Sequence, residues 1–386
     1  MATNSLPLLP VWDDFRADMP VCEQWAYLDH AAVAPIPQSA QQAIHAWADE
    51  AASHGDTVWS GWAQRMERVR VLAASMIGAA ADEIALVPNT TTGISLVAEG
   101  LPWRAGDNVV ILANEFPSNQ YPWMNLAARG VETRRVSVDR VAIDPNRIAA
   151  ACDARTRVVA ISWVGYASGW RIDVDEIAEV AHAGGALLML DAIQGLGVFP
   201  LDVALTPIDF LAADGHKWML GPEGAGLLYV RREHLERLRP LNVGWQSVVQ
   251  GQDFSTIALN LRPAASRYEG GSQNMVGFTG LEASLDLLAR CGLGPRGTAI
   301  AERVLAVTDL ACERLSQFGA QIHSDRSEPC RSGIVVFDVP GRDPVVLRNR
   351  CLQRGVAINT RGGRLRISPH AYNNEEDIDR LIDALQ

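Results

Sequence analysis

From Glu83 onward, short runs rich in aliphatic and β-branched residues alternate with helical stretches, and this alternation restricts the fold more than any other feature. Run 84–87 precedes helical stretch 92–99, run 108–112 precedes 119–128, run 158–162 precedes 174–183, and run 186–190 follows. Runs such as Ala186-Leu187-Leu188-Met189-Leu190 show no polar alternation, so they suit strands buried on both faces. Together they predict an α/β fold, a mostly parallel sheet with helices on both of its faces.

The flanking regions differ. Residues 1–26, with several prolines, read as an N-terminal arm, and helical patterns follow at 38–53 and 62–77. Beyond Pro240, residues 242–273 carry few periodic signals and read as long loops. Helical patterns return at 276–290 and 298–318. Strands at 333–337 and 364–367 then combine with helices at 343–354 and 375–385. The division expected is an arm (1–26), a large domain (27–291) and a small α+β domain (292–386). The Gly-Leu-Gly-Pro-Arg-Gly stretch from Gly292 to Gly297 marks the second boundary.

The 386 residues suffice for a two-domain enzyme. A net charge of −11 argues against nucleic acid or an anionic membrane as the main partner. No apolar run reaches transmembrane length, and the acidic N-terminal segment does not read as a signal peptide. The six cysteines are scattered without a C-x-x-C pair, so reduced thiols and a cytoplasmic location are expected, with no structural metal.

Lysine occurs once, at Lys217; the other 33 of the 34 basic residues are arginine. Arginine replaces lysine on most surfaces, but its guanidinium stays protonated and cannot act as a nucleophilic amine. Lys217 lies in Asp214-Gly215-His216-Lys217-Trp218, on an expected turn between two buried strands, 209–212 and 226–230. Desolvation there would lower its pKa and favour Schiff-base chemistry. A surface lysine that survived compositional drift is the competing explanation.

Asp191 closes the run 186–190, with Gln194 three residues on. Ligands of α/β sheets gather at the carboxyl ends of strands. A carboxylate there could keep a pyridinium nitrogen protonated, and an amide could bond a phenolate oxygen; alone, Asp191 would equally serve as a turn or cap residue. Asn89-Thr90-Thr91-Thr92-Gly93 stands between a strand and a helix, an arrangement suited either to a phosphate or to simple N-capping. Phe116, after run 108–112, could stack on a planar ligand or pack in the core.

In order, Asp191-Ala-Ile-Gln194, Asp209-Phe, Gly215-His216-Lys217, Gly221-Pro222 and Gly226 resemble the class V aminotransferase group of pyridoxal-phosphate enzymes. That group includes cysteine desulfurases, selenocysteine lyases, kynureninases and isopenicillin N epimerase-like proteins. The resemblance runs from Tyr27-Leu28-Asp29-His30 to the C-terminal helix. It implies the fold type I of PLP-dependent transferases, with a seven-stranded, mostly parallel sheet. It implies pyridoxal 5'-phosphate as cofactor and a small amino acid as substrate. Lys217 would form the Schiff base and move the Cα proton. Asp191 would pair with the pyridine nitrogen and Gln194 with the ring oxygen. Thr91, with Thr90 or Thr92, would hold the phosphate beside His216, and Phe116 would stack on the ring. Ser272, in Arg267-Tyr-Glu-Gly-Gly-Ser272, would reach the phosphate of a neighbouring subunit in a homodimer. Arg366 would clamp the substrate carboxylate.

Two departures from the family pattern stand out. Asp214 occupies a position usually held by a phosphate-binding residue, where a carboxylate would be repulsive, so pairing with His216 or an arginine is expected. Desulfurases carry a nucleophilic cysteine between the equivalents of Asn359 and Arg366. Here that segment is Thr360-Arg361-Gly362-Gly363-Arg364-Leu365, and the nearest thiol, Cys351, falls in a helical pattern. An aminotransferase or lyase is therefore expected. Desulfurase, selenocysteine lyase or epimerase chemistry is the alternative, and a noncatalytic cofactor-binding protein the alternative of another class.

Overall fold

The computed structural model describes residues 10–138 and 143–386. Its strands are β1 (Ala26–Tyr27), β2 (Ile84–Val87), β3 (Asn108–Leu112), β4 (Glu132–Val136), β5 (Thr156–Ser162), β6 (Leu187–Asp191) and β7 (Phe210–Asp214). They continue with β8 (Gly226–Val230), β9 (Gln321–Ile322), β10 (Val335–Asp338), β11 (Val356–Ala357), β12 (Asn359–Arg361) and β13 (Arg364–Ile367). Seven form the main sheet in the order β2-β8-β7-β6-β5-β3-β4. Only β8 runs against its neighbours, pairing antiparallel with both β2 and β7. The fold is thus the α/β type I fold of PLP-dependent transferases.

The core follows the two-residue period of a strand. Along β6, Leu188 and Leu190 point into one apolar layer with Ile177 and Phe278. Leu187 and Met189 point into the opposite layer with Ile94, Val97 and Trp123. Truncating such a side chain (Leu188 is fully buried) to alanine typically costs about 2–5 kcal/mol.

A second sheet, β12-β13-β10-β9, packs with helices Ala299–Phe318, Pro344–Gln353 and Glu375–Leu385. Its core includes Ala26 and Leu28 from the start of the chain. Strand β1 pairs with β11, and Asp29 bridges to Ser368. The N-terminal segment is more built than a plain arm. Helix Pro10–Ala17 buries Trp12 and Phe15 in the main core, and Phe15 meets Tyr372 edge to face. Residues 1–9 of the expected arm lie outside the described residues. Among the described residues, no helix is long and apolar enough to cross a membrane.

Candidate active site

A cavity of about 280 Å³ opens at the carboxyl ends of the central strands. Nine of the residues expected from the sequence line it: Thr90, Thr91, Phe116, Asp191, Gln194, Asp214, His216, Lys217 and Arg366. Thr92 and Ser272 do not; both line a separate hollow beside Asn242 and Asn274.

Lys217 sits on the connection between β7 and β8, held in a tight turn. Gly221 N–H donates to Gly215 C=O at 2.8 Å, and Leu220 N–H donates to Lys217 C=O at 3.0 Å. A side chain at Gly215 would lie 2.7 Å from the Ala225 carbonyl, so glycine is required there. Leu220 adopts φ 57°, a left-handed conformation that costs a bulky residue of order 1–3 kcal/mol. Its carbonyl accepts from Ser284 Oγ at 2.8 Å, one of the contacts that hold the strain in place. Below the turn, Trp218 packs against His30 and His370, and its Nε1 donates to Gln194 Oε1 at 2.8 Å.

The lysine amine is buried, and its Nζ lies 5.7 Å from the centre of the Phe116 ring. Burial lowers its pKa to about 8, with Arg366 and Arg361 adding to the drop and Asp191 and Asp214 opposing it. Asp191, at the end of β6, is pushed up to about 6 by burial. Its partial relief comes from Ile193 N–H at 3.2 Å and the charge of Lys217.

Helix Thr90–Gly100 starts on the cavity wall. Asn89 caps it, its Oδ1 accepting from Thr92 N–H at 2.8 Å and from the Thr92 hydroxyl at 3.0 Å. The first-turn N–H groups of Thr90 and Thr91 have no partner within the helix, as at any helix start. Thr90 Oγ1 accepts from Asp214 N–H at 2.9 Å, and Thr91 Oγ1 donates to Ser118 Oγ at 2.7 Å. His216 Nδ1 lies 2.9 Å from Asp214 Oδ2, but the contact lacks hydrogen-bond alignment and leaves that buried nitrogen without a hydrogen-bond partner. Asp214 thus neighbours His216 without a hydrogen bond between them.

Arg366, on β13, is 1% exposed. Its Nη1 donates to Tyr166 C=O at 2.7 Å and its Nη2 to Asp29 Oδ1 at 3.1 Å. Its buried Nε has no partner. Burial lowers its pKa against the opposing pull of Asp29. Asp29 also accepts from Asn359 Nδ2 at 2.7 Å, so both its oxygens are engaged.

Three contributors escaped the sequence reading. Asp29 comes from the far end of the chain. Tyr166 supplies the carbonyl that steers Arg366. Glu115, fully buried, accepts from Ser162 N–H at 2.7 Å and contacts the Ser162 hydroxyl, one register pair away from Asp191. Burial pushes Glu115 up to about 8. Its place, three residues past the strand ending at Leu112, was the available signal.

A doubly covered parallel sheet with a buried lysine and aspartate at its strand ends is the frame of a pyridoxal-phosphate enzyme. The comparisons agree. The family model for class V aminotransferases matches residues 26–381. A probable cysteine desulfurase of Methanothermobacter thermautotrophicus is 33% identical, over 97% of both chains. The isopenicillin N epimerase of Streptomyces clavuligerus is 30% identical, also over 97% of both. The apo structure of a cysteine desulfurase from Thermococcus onnurineus superposes with a TM-score of 0.85 at 25% identity, covering 99% of this chain and 98% of that one. The chain belongs to the class V aminotransferase family. It is a PLP-dependent enzyme of the transferase or lyase type, and its cofactor is pyridoxal 5'-phosphate.

Proposed function

We propose that this enzyme acts on a small amino acid as an aminotransferase or lyase, with Lys217 holding the cofactor and moving the proton at Cα. The observation that carries this reading is a desolvated amine, with its pKa lowered to about 8, sharing one cavity with Asp191 and Arg366. The lowered pKa gives such an amine a far larger neutral fraction near physiological pH than an ordinary lysine has, so it can act as nucleophile and base.

The residues fit the cofactor. The helix start at Thr90 and Thr91 suits a phosphate, with His216 beside it on the cavity wall. Asp214 lies against the Nδ1 side of that ring, at 2.9 Å. Asp191 carries a buried charge short of a partner, which a pyridinium nitrogen would supply. Gln194 Nε2 donates to Ala31 C=O at 3.0 Å and keeps its second N–H for the ring oxygen. Phe116 would cover the ring face. The bound cofactor supplies an electron sink for the pair left on Cα. Arg366 offers its Nε–H to the substrate carboxylate and fixes the Cα bond to be broken; Lys217 takes the proton and returns it.

Transamination, elimination and epimerisation share this set. A desulfurase thiol on the β12–β13 connection has less support. Gly362 and Gly363, at φ 57° and 78°, close that hairpin with the two left-handed residues of a tight turn. No cysteine lines the cavity among the described residues. Cys351 is fully buried, and burial raises its pKa to about 11. A noncatalytic role fits poorly with Lys217 and Arg366 both poised in the cavity. A reducing, cytoplasmic setting belongs to this reading because the cysteines are scattered without a C-x-x-C pair. Ser272, off the cavity of its own chain, would act across a homodimer. The exposed Phe254, Ile257 and Leu259 in the long loop segment favour such an interface.

Borohydride reduction of the cofactor-loaded protein should fix the cofactor to the peptide containing Lys217. Lys217→Ala should lower turnover by about 10²–10⁴-fold or more, the range of a lost general base. Full turnover by that variant would sink the assignment. Product analysis after an amino-acid screen then separates a keto acid, ammonia plus keto acid, and an inverted amino acid.

A further inference from the structure

Two arginines reach the cavity from the same hairpin, and they are placed differently. Arg366 has its Nη1 and Nη2 each engaged once, by Tyr166 C=O and Asp29, while its buried Nε–H has no acceptor. That guanidinium keeps one N–H, at Nε, without an acceptor. Arg361 stands at the turn end of β12. Its Nη1 donates to Asn359 Oδ1 at 3.3 Å and Thr360 C=O at 3.0 Å, both on its own strand. Among the described residues it has no carboxylate partner, and its Nε–Nη2 edge carries no hydrogen bond. The nearby carboxylate, Asp29, already has both oxygens engaged by Arg366 and Asn359. Both arginines line the cavity wall, and each has N–H groups that the protein leaves without an acceptor.

The hairpin itself makes Arg361 costly to keep. Arg361 pairs in register with Arg364, and like charges directly opposite across strands are destabilising. Arg364 finds Asp338 at 4.0 Å, whereas Arg361 keeps its charge on the cavity wall. The same charge helps to lower the Lys217 pKa, so it acts within the site rather than in bulk solvent.

We infer that Arg361 is a specificity-determining residue, and that the substrate is an amino acid whose side chain ends in a second carboxylate. Arg366 takes the α-carboxylate and Arg361 the distal one. This inference rests on the cofactor and substrate reading above and names the substrate class of that site.

The test uses the cofactor-loaded protein and unreactive acids lacking an amine. Calorimetry compares glutarate and succinate with butyrate and propionate in the parent, Arg361→Gln and Arg361→Lys. A charge-assisted pair predicts dicarboxylates binding about tenfold or more tighter than monocarboxylates in the parent. In Arg361→Gln that ratio should fall to near unity, and Arg361→Lys should restore part of it. Cofactor absorbance equal to the parent's identifies a variant that is folded and loaded. Equal binding of both acid classes by the parent would overturn the inference. So would an equal weakening of both classes in Arg361→Gln, which would assign Arg361 to the α-carboxylate. Borohydride labelling in the same preparation separates the two readings. Label on Lys217 with no dicarboxylate preference overturns the substrate class alone. No label on Lys217 overturns the cofactor reading on which the inference rests.

Discussion

Two buried aspartates stand at opposite ends of the adjacent parallel strands β6 and β7, and their hydrogen bonds separate function from structure. Asp209 immediately precedes β7. One oxygen accepts from His182 Nε2 at 2.8 Å and Leu188 N–H at 2.7 Å, and the other lies 2.6 Å from His234 Nε2. Burial pushes its pKa up, but His234, His182 and Leu188 N–H together hold it below the ordinary value. Asp191 closes β6 with one N–H partner, and its pKa rises to about 6. A carboxylate that folding satisfies serves the fold. One left short of partners at a cavity awaits a ligand.

Exchange of each aspartate for asparagine is the harshest test of that contrast. Breaking a buried charge pair costs about 3–5 kcal/mol. Asp191→Asn should therefore weaken cofactor binding by about 10²-fold or more, read from absorbance titration. Asp209→Asn should leave that titration alone and lower unfolding stability by about 1–3 kcal/mol, the scale of lost hydrogen bonds to a charged group. Matching cofactor affinities in the two variants would erase the distinction.

Their pH dependences should have opposite signs. The raised pKa of Asp191 means that the folded, cofactor-free protein holds its proton more tightly than the unfolded chain. Its effect on stability therefore becomes more unfavourable as pH rises from about 4 to 6. The lowered pKa of Asp209 means the reverse: its favourable contribution is complete above the ordinary carboxylate value and is lost as pH falls below about 4. Urea midpoints of the cofactor-free proteins measure both. Asp191→Asn should gain on the parent as pH rises through its window, and the deficit of Asp209→Asn should shrink on acidification. Curves parallel to the parent's would contradict both assignments.

Much of this was legible in the sequence, for local reasons. The continuous apolar runs gave β2, β3 and β8 to the residue, because strands buried on both faces leave no polar alternation to blur their ends. The edge strand β4, Glu-Thr-Arg-Arg-Val, escaped notice: it pairs only with β3 and keeps charged side chains in solvent. Helix Pro145–Ala151 was missed as well. The helix expected over 119–128 instead breaks into three short turns around Pro122. Within the cavity, the strand-end aspartate and the lysine turn could be read from motif order. The Asp29–Arg366 contact could not, because it joins the two ends of the chain through β1, β11 and the bridge to Ser368. Thr92 illustrates the converse: three adjacent threonines look alike in sequence, and only the helix cap decides that its hydroxyl turns to Asn89.

His182, beside Asp209, and His216, beside Asp214 in the cavity wall, offer the finest comparison and the smallest effects. His182 is about a third exposed and contributes one of three donors to Asp209. His182→Gln should cost no more than about 1 kcal/mol, since an exposed ring in a polar pair adds little, and denaturant midpoints would register it. His216 lines the cavity, and its buried Nδ1 lies beside Asp214 without a hydrogen bond. His216→Gln should leave the cofactor-free midpoint nearly unchanged but weaken cofactor binding by roughly tenfold, the loss of one charge-assisted hydrogen bond to a phosphate. If the larger stability loss came instead from His216, the ring would be a strut between Asp214 and the lysine turn, and the phosphate would depend on the helix start alone.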